Sequence, residues 1–320
     1  MYATRLRAQF RGLTTRDGVL LRGDAGWGEF SPFWDYDAVQ SRSWLAAARE
    51  AADEGWPPAL RASVPVNVTV PAVSPARAHE LVRASRGCLT AKVKVAEPGE
   101  DLGAEQARLE AVREALGPEG KIRIDANGAW TLGEALARLP ALDRAAGGLE
   151  YVEQPCREVA DLAKLRRSQN VRVAADESIR RAEDPLVVVR AEAADVVVMK
   201  VQPLGGVRPA LALAERLGLP VVVSSAIETS VGIAAGLALA AALPELPFAC
   251  GLATVQLLEH DVVDEPLLPV DGALAVGRPP PRLGALARAA ADAEKERRWR
   301  GRLREVAEAR EANTPAEPAR

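Results

Sequence analysis

The sequence predicts a modified (β/α)8-type barrel carrying a small α+β capping domain. Three observations predict it: a strand-then-helix alternation from residue 62 onward, polar residues that end those strands every 23 to 31 residues, and a skew of aromatic side chains toward the N-terminus. Nine of the thirteen aromatics fall in residues 1–60, so the first segment is built differently from the aliphatic remainder. The 320 residues are chain enough for one barrel and one extra domain. A doubly wound open sheet is the alternative, but it has one crevice at a switch point and does not call for polar residues on six strand ends.

Residues 1–61 read as the cap. Thr4–Arg11, Gly18–Arg22 and Trp27–Phe30 predict an antiparallel meander with turns at Arg16-Asp17-Gly18 and Asp24-Ala25-Gly26, followed by a helix through Tyr36–Glu54. Residues 62–260 read as the barrel. Its strands are expected at Val64–Val70, Leu89–Val95, Ile122–Asp125, Leu149–Glu153, Val171–Asp176, Val196–Lys200, Pro220–Ser225 and Phe248–Leu252. Helices between them are expected at Asp101–Leu116, Leu132–Arg144, Leu162–Gln169, Pro185–Ala191, Val207–Leu217 and Val231–Ala242. Residues 261–285 are expected to return to the cap through short strands at Leu267–Val270 and Ala273–Val276, stopped by Pro279-Pro280-Pro281. Residues 286–320 complete the chain: a charged helical pattern drawn over Ala285–Glu311, then a Pro-containing tail, Asn313–Arg320, expected to be disordered.

Composition narrows the function classes. A net charge of -3, with basic and acidic residues interspersed, predicts small-molecule partners rather than nucleic acid. Val231–Leu243 is the longest run free of polar side chains, too short for the roughly 20 residues that span a bilayer. No apolar signal-peptide core follows Met1, and the three cysteines are far apart, so a reducing cytoplasm is expected. Asn67-Val68-Thr69 is read as an incidental sequon. With two histidines, no HExxH and no GxSxG, the acids and bases of an enzyme here must be carboxylates or lysines. No GxGxxG or GxxxxGK[ST] cradles a nucleotide phosphate.

The strand ends supply those groups. Asp125, Glu153 and Asp176 close three consecutive strands, and a barrel makes them converge. Like charges that close force protonation unless a cation shares them, and an all-oxygen donor set favours Mg2+ or Mn2+. Asn127 and Glu177 stand beside these acids and are expected to orient them. Lys92 and Lys94 share one face of their strand, and Lys200 ends another after Val196-Val197-Val198-Met199. Lys94 and Lys200 would then face each other across the mouth, with the cation between them pushing an amine toward its neutral form. That arrangement suits abstraction of a proton next to a carboxylate. Ser224, Ser225 and the Gly251-Leu252 backbone are expected to hold the distal part of a substrate.

Lys92-Val93-Lys94, Asp125-Ala126-Asn127, Glu153-Gln154-Pro155, Asp176-Glu177-Ser178 and Lys200, in this order and spacing, resemble the enolase superfamily, and within it the muconate-lactonizing-enzyme subgroup. The resemblance covers the chain to about residue 280. It implies Lys94 and Lys200 as catalytic groups, Asp125, Glu153 and Asp176 as metal ligands, and a carboxylate substrate. Gly26–Phe33 and Ser224–Thr229 are most similar to the members that dehydrate a succinyl-bearing hydroxycyclohexadiene carboxylate in menaquinone biosynthesis. On that resemblance Arg11–Asp17 is a loop that closes over the substrate, and Trp27, Phe30, Phe33 and Trp34 either cover its apolar part or pack the cap. Dipeptide epimerases commonly carry an Asp-x-Asp on the eighth strand, whereas Cys250–Thr254 has no acid. N-Succinylamino acid racemases share the paired lysines and stay open as an alternative. A Schiff-base aldolase would use Lys200 or Lys94 covalently and has no need of three acidic strand ends.

Overall fold

Short β-branched runs that are apolar on both faces suit a parallel sheet covered by helices. In the computed structural model, which describes residues 1–10 and 12–312, those runs form one curled parallel sheet. The cap contributes β1 (Tyr2–Phe10), β2 (Leu13–Gly23) and β3 (Gly26–Phe30), an antiparallel meander. β4 (Ser63–Pro65) stands apart from the parallel sheet. The sheet runs from β5 (Val68–Val70) through β6 (Thr90–Lys94), β7 (Lys121–Asp125), β8 (Leu149–Glu153), β9 (Val173–Ala175) and β10 (Val196–Met199) to β11 (Val221–Val223), neighbours in chain order. The helices Leu102–Leu116 and Leu132–Ala145 start where Asp101 and Thr131 accept an amide three residues on, which satisfies donors the helix leaves free.

The eighth stave differs from expectation. Phe248–Leu252 forms no strand; the parallel bridges Val66↔Cys250 and Ser224↔Gly251 close the barrel instead. Cys250 N donates to Pro65 O at 2.7 Å and Gly251 N to Val223 O at 2.8 Å, so each neighbour is met by one residue rather than a run. The expected first strand, Val64–Val70, is also split. Its first part, β4, pairs antiparallel with β12 (Ala273–Ala275). Leu267–Val270 is not a strand, and Val270 only bridges Ala273 around a turn at Asp271-Gly272.

Arg16-Asp17-Gly18 lies inside β2, and the chain reverses at Phe10–Leu13 instead. The reason is tertiary: Arg16 and Asp17 are buried by partners far away in sequence, Ile227 O and the indole of Trp299. The proposed closing loop Arg11–Asp17 is therefore strand from Leu13 on, and Arg11 lies outside the described residues. Of Tyr36–Glu54, only Arg42–Arg49 is α-helix, continued by a wider turn at Glu50–Glu54. Gly28 sits where any Cβ would lie 1.9 Å from Ala48 O, so only glycine lets β3 pack on that helix. The C-terminal pattern makes two helices, Leu283–Arg288 and Ala293–Ala312, because residues 289–291 pair with the start of β1. The tail Asn313–Arg320 lies outside the described residues.

Two buried cap carboxylates seat on successive barrel helices. Glu50 accepts Val207 N and Arg208 N at the start of Val207–Leu217, the latter at 3.0 Å. Glu29 accepts Thr229 N and Gly232 N, both at 3.1 Å, at the start of Ser230–Ala242. Each negative charge meets free amides and the positive end of a helix dipole.

Candidate active site

The register of the sheet brings the acidic strand ends level. Lys94 pairs with Asp125 and Asp125 with Glu153 across β6, β7 and β8, and Asp176 follows β9. All three carboxylates are essentially inaccessible to solvent, and each is met by cations. Lys92 Nζ donates to Asp125 Oδ2 and Glu153 Oε1, both at 2.9 Å. Lys94 Nζ donates to the same Asp125 oxygen at 2.7 Å and to Asn127 Oδ1. Lys200 Nζ donates to Asp176 Oδ2 at 2.5 Å, and Arg180 Nε to Asp176 Oδ1 at 2.8 Å.

The residues beside the acids hold them in place. Asn127 takes a left-handed backbone, φ 48°, which lets its amide donate back to Asp125 Oδ1 at 3.0 Å. Asn127 Nδ2 donates to Glu177 Oε1, which also accepts from Arg180. Gln154, φ 38°, accepts the Asp176 and Ser178 amides on its side-chain oxygen.

Burial alone would raise the Asp125 carboxyl, but the Lys92 and Lys94 ammoniums hold it well below the usual range. Asp176 is lowered in the same way by Arg180 and Lys200 against the cost of its burial. Glu153 goes the other way. Burial and then the Asp125 charge push it up to about 7, and Lys92 only partly offsets them. Burial would lower Lys92, yet Asp125 and Glu153 raise it well above an ordinary lysine.

These oxygens fit a hard divalent cation in donor chemistry: three buried carboxylates on neighbouring strand ends, one of them, Glu153, raised by its burial and then by the charge of Asp125. Among the described residues, no three acidic, histidine or cysteine side chains are already turned toward a common metal position. Lysine and arginine heads take that place as counter-ions.

A cavity of about 50 Å3 lies over this cluster, bounded by Lys92, Lys94, Asp125, Lys200, Ser224 and Gly251 below and by Phe10, Phe33, Tyr36 and Ile227 above. That is room for a water molecule or two, not for a six-membered ring. A wider cleft opens beside it, sharing Phe10, Lys94 and Asn127 as the partition. Ser225 also lines the cavity, its hydroxyl 2.7 Å from Thr254 Oγ1. Leu252 does not; it is buried with its side chain near Gly236 of the helix Ser230–Ala242. Of the four cap aromatics singled out in the sequence, Phe33 lines the cavity, while Phe30 and Trp34 stack on Trp299, and Trp27 packs beside Tyr2 and Val262.

Sequence reasoning missed Arg180, Phe10, Tyr36 and Thr254. The signal for Arg180 was present, since an arginine four residues after Asp176 on a helical turn can reach back to it. The cap residues carry no such signal because their partners are set only by docking.

Beyond the cavity, Glu228 is pushed up to about 7, by its burial and then by Glu29, which flanks the same glycine, Gly232. The folded protein thus holds the Glu228 proton more tightly than the unfolded chain, whose reference value is 4.5, and stability falls as pH rises from about 4.5 through about 7. Glu228→Gln stays neutral throughout. Its urea midpoint relative to wild type is expected to rise between pH 5 and pH 8 by the equivalent of about 1–3 kcal/mol. The difference between the two proteins cancels the parallel contribution of Glu153, and an unchanged difference would refute the assignment.

The chain matches the family models described as enolase C-terminal domain-like over residues 75–285 and enolase N-terminal domain-like over residues 1–52. A capped barrel with lysines on both sides of acidic strand ends is, with these matches, an enzyme of the enolase superfamily. The o-succinylbenzoate synthase of Thermobifida fusca (strain YX) is 64% identical over 277 residues, covering 87% of this chain and 86% of the relative. That of Mycobacterium tuberculosis (strain ATCC 25618 / H37Rv) is 52% identical over 299 residues, covering 93% and 90%. The chain belongs to the o-succinylbenzoate synthase family, lyases of menaquinone biosynthesis. Among solved structures, muconate lactonizing enzyme from Pseudomonas fluorescens complexed with muconolactone superimposes with a TM-score of 0.76 at 21% identity, covering 90% of this chain and 97% of that one. 2-Chloromuconate cycloisomerase from Rhodococcus opacus 1CP gives 0.75 at 23% identity, covering 91% and 98%. At such identities these two speak for the barrel fold alone.

Proposed function

We propose that the chain catalyses the syn-dehydration of 2-succinyl-6-hydroxy-2,4-cyclohexadiene-1-carboxylate to 2-succinylbenzoate. The observation that carries the reading is the placing of Lys94 and Lys200, from β6 and from the end of β10, around the buried acids Asp125, Glu153 and Asp176. Those three acids would hold Mg2+, or Mn2+ in its place. A bound divalent cation supplies positive charge beside the substrate carboxylate and so makes the neighbouring C–H more acidic.

Lys94, as the free amine, takes the proton from the carbon that bears the carboxylate. The C–H electron pair moves into the carboxylate and gives an enediolate. That pair then returns to form the ring double bond as the C–O bond to the hydroxyl breaks, and the departing hydroxide takes the proton from the Lys94 ammonium and leaves as water. One lysine serves both transfers because the proton and the hydroxyl leave from one face. Lys200 offsets the enediolate charge from the opposite side. Ser224, Ser225 and Gly251 hold the succinyl arm. The partner on this reading is a small-molecule carboxylate, with neither nucleic acid nor a membrane surface involved, and the work is cytoplasmic. In support, the net charge is -3, and among the described residues no helix is long and apolar enough to cross a membrane.

Two opposed lysines also suit a racemase of N-succinylamino acids, each amine serving one face. Conversion of the cyclohexadiene should therefore be measured beside deuterium exchange at the α-carbon of an N-succinylamino acid. Dehydration is expected to be the faster reaction; exchange without dehydration would overturn the reading.

A further inference from the structure

The helix Ala293–Ala312 lies at the far end of the chain from the cap, yet its buried side chains end on the segment that walls the cavity. Arg302 is 7% exposed. Its Nη1 donates to Pro32 O at 3.2 Å, and its Nη2 to Phe33 O at 2.8 Å, Tyr36 O at 2.7 Å and Ser41 Oγ at 3.1 Å. Residues 32–41 form no helix or strand, so their buried carbonyls need donors from outside, and a rigid guanidinium fork can serve several at once. Trp299, fully buried, adds a second hold: its Nε1 donates to Asp17 Oδ2 at 3.1 Å, and its ring lies 4.7 Å from that of Trp34.

The clamped segment reaches the site twice. Phe33 and Tyr36 wall the cavity, packed on each other and on Trp44 at centroid distances of 6.4, 5.9 and 5.7 Å. The Tyr36 hydroxyl accepts from Arg180, whose Nε is bonded to Asp176, which in turn holds Lys200. A continuous line of bonded groups thus runs from the C-terminal helix to a strand-end lysine.

We propose that Arg302 is a positioning residue, through which the C-terminal helix holds Pro32–Ser41 so that Phe33 and Tyr36 form the apolar wall for the substrate ring. The inference rests on the reaction proposed above for the identity of the ring, and on the geometry alone for the clamp. Losing the clamp loosens the wall while leaving Lys94 and its partners in place, so binding suffers more than chemistry.

The test compares Arg302→Met with Arg304→Met, an exposed neighbour on the same helix. For Arg302→Met, KM for the cyclohexadiene and the Kd for 2-succinylbenzoate are expected to rise about tenfold, with kcat kept within about threefold. Amides in residues 33–41 should also exchange hydrogen faster. Arg304→Met should match wild type in all of these, and Arg302→Lys should fall between. Should Arg302→Met fail to fold, Ser41→Ala removes one of the four acceptors and is expected to raise KM about twofold. Unchanged KM, Kd and exchange in a folded Arg302→Met would overturn the proposal, as would a loss confined to kcat. Wild type that does not turn over the cyclohexadiene would sink the proposed reaction instead, and amide exchange would still decide the clamp.

Discussion

Lys94→Ala is expected to lower kcat/KM for dehydration about 10^3-fold or more, in the upper part of the range for removing a general acid–base group. The size follows from the dual duty of one amine. In the proposed reaction it both removes the proton and returns it to the departing hydroxide, and the other lysine of β6, Lys92, is tied to Asp125 and Glu153 and raised well above the ordinary range. Lys94→Arg should be no better, since a guanidinium stays protonated and cannot act as base. Lys200→Ala removes charge opposite the enediolate but not the base, so its loss in kcat/KM should be the smaller. Steady-state kinetics following the formation of the aromatic product measures all three. Activity in Lys94→Ala within tenfold of wild type would remove it from the mechanism.

Stripping divalent cations with EDTA is expected to abolish turnover, by about 10^3-fold or more, and Mg2+ to restore it. Asp125 Oδ2 accepts from two ammoniums and Asp176 from Lys200 and Arg180, so the acids proposed to hold the cation also hold the lysines proposed to act. Glu153→Gln should weaken Mg2+ binding while sparing the fold, because the neutral amide lifts the burial cost and the Asp125 repulsion that together push Glu153 up to about 7. The two effects separate in one experiment: thermal unfolding of the variant should be near wild type without Mg2+ and gain less from adding it. Full turnover in EDTA would exclude metal assistance and reopen the Schiff-base reading.

The barrel was readable because it repeats. Six of the eight staves announce themselves by β-branched runs ending in a charged residue or a serine, and the helix Val207–Leu217 has the bounds its pattern predicts. The convergence of the charged strand ends was readable for a related reason: a charged residue at the end of an apolar strand has no local explanation, and five of them in series share one. What escaped was decided between distant segments. Phe248–Leu252 looks like a strand by composition, yet two single-residue bridges suffice to close the sheet. Arg16-Asp17-Gly18 looks like a turn because Asp-Gly usually marks one, but both charged side chains have buried partners more than two hundred residues away. No window of sequence contains that information. Tyr36 joins the site by the same kind of long-range contact, through Arg180, whose own bond to Asp176 is local.

The seats of Glu29 and Glu50 lie on consecutive helices, so the cap is moored along one arc of the rim, behind β10 and β11. Across the mouth, beside Lys94 and Asn127, its contribution to the cleft among the described residues is the tip of its first hairpin, Gln9, Phe10 and Gly12. There the Phe10 ring lies 5.4 Å from Lys94 Nζ. Substitutions at that tip can retune which substrates enter while the mooring, and with it the fold, is left alone.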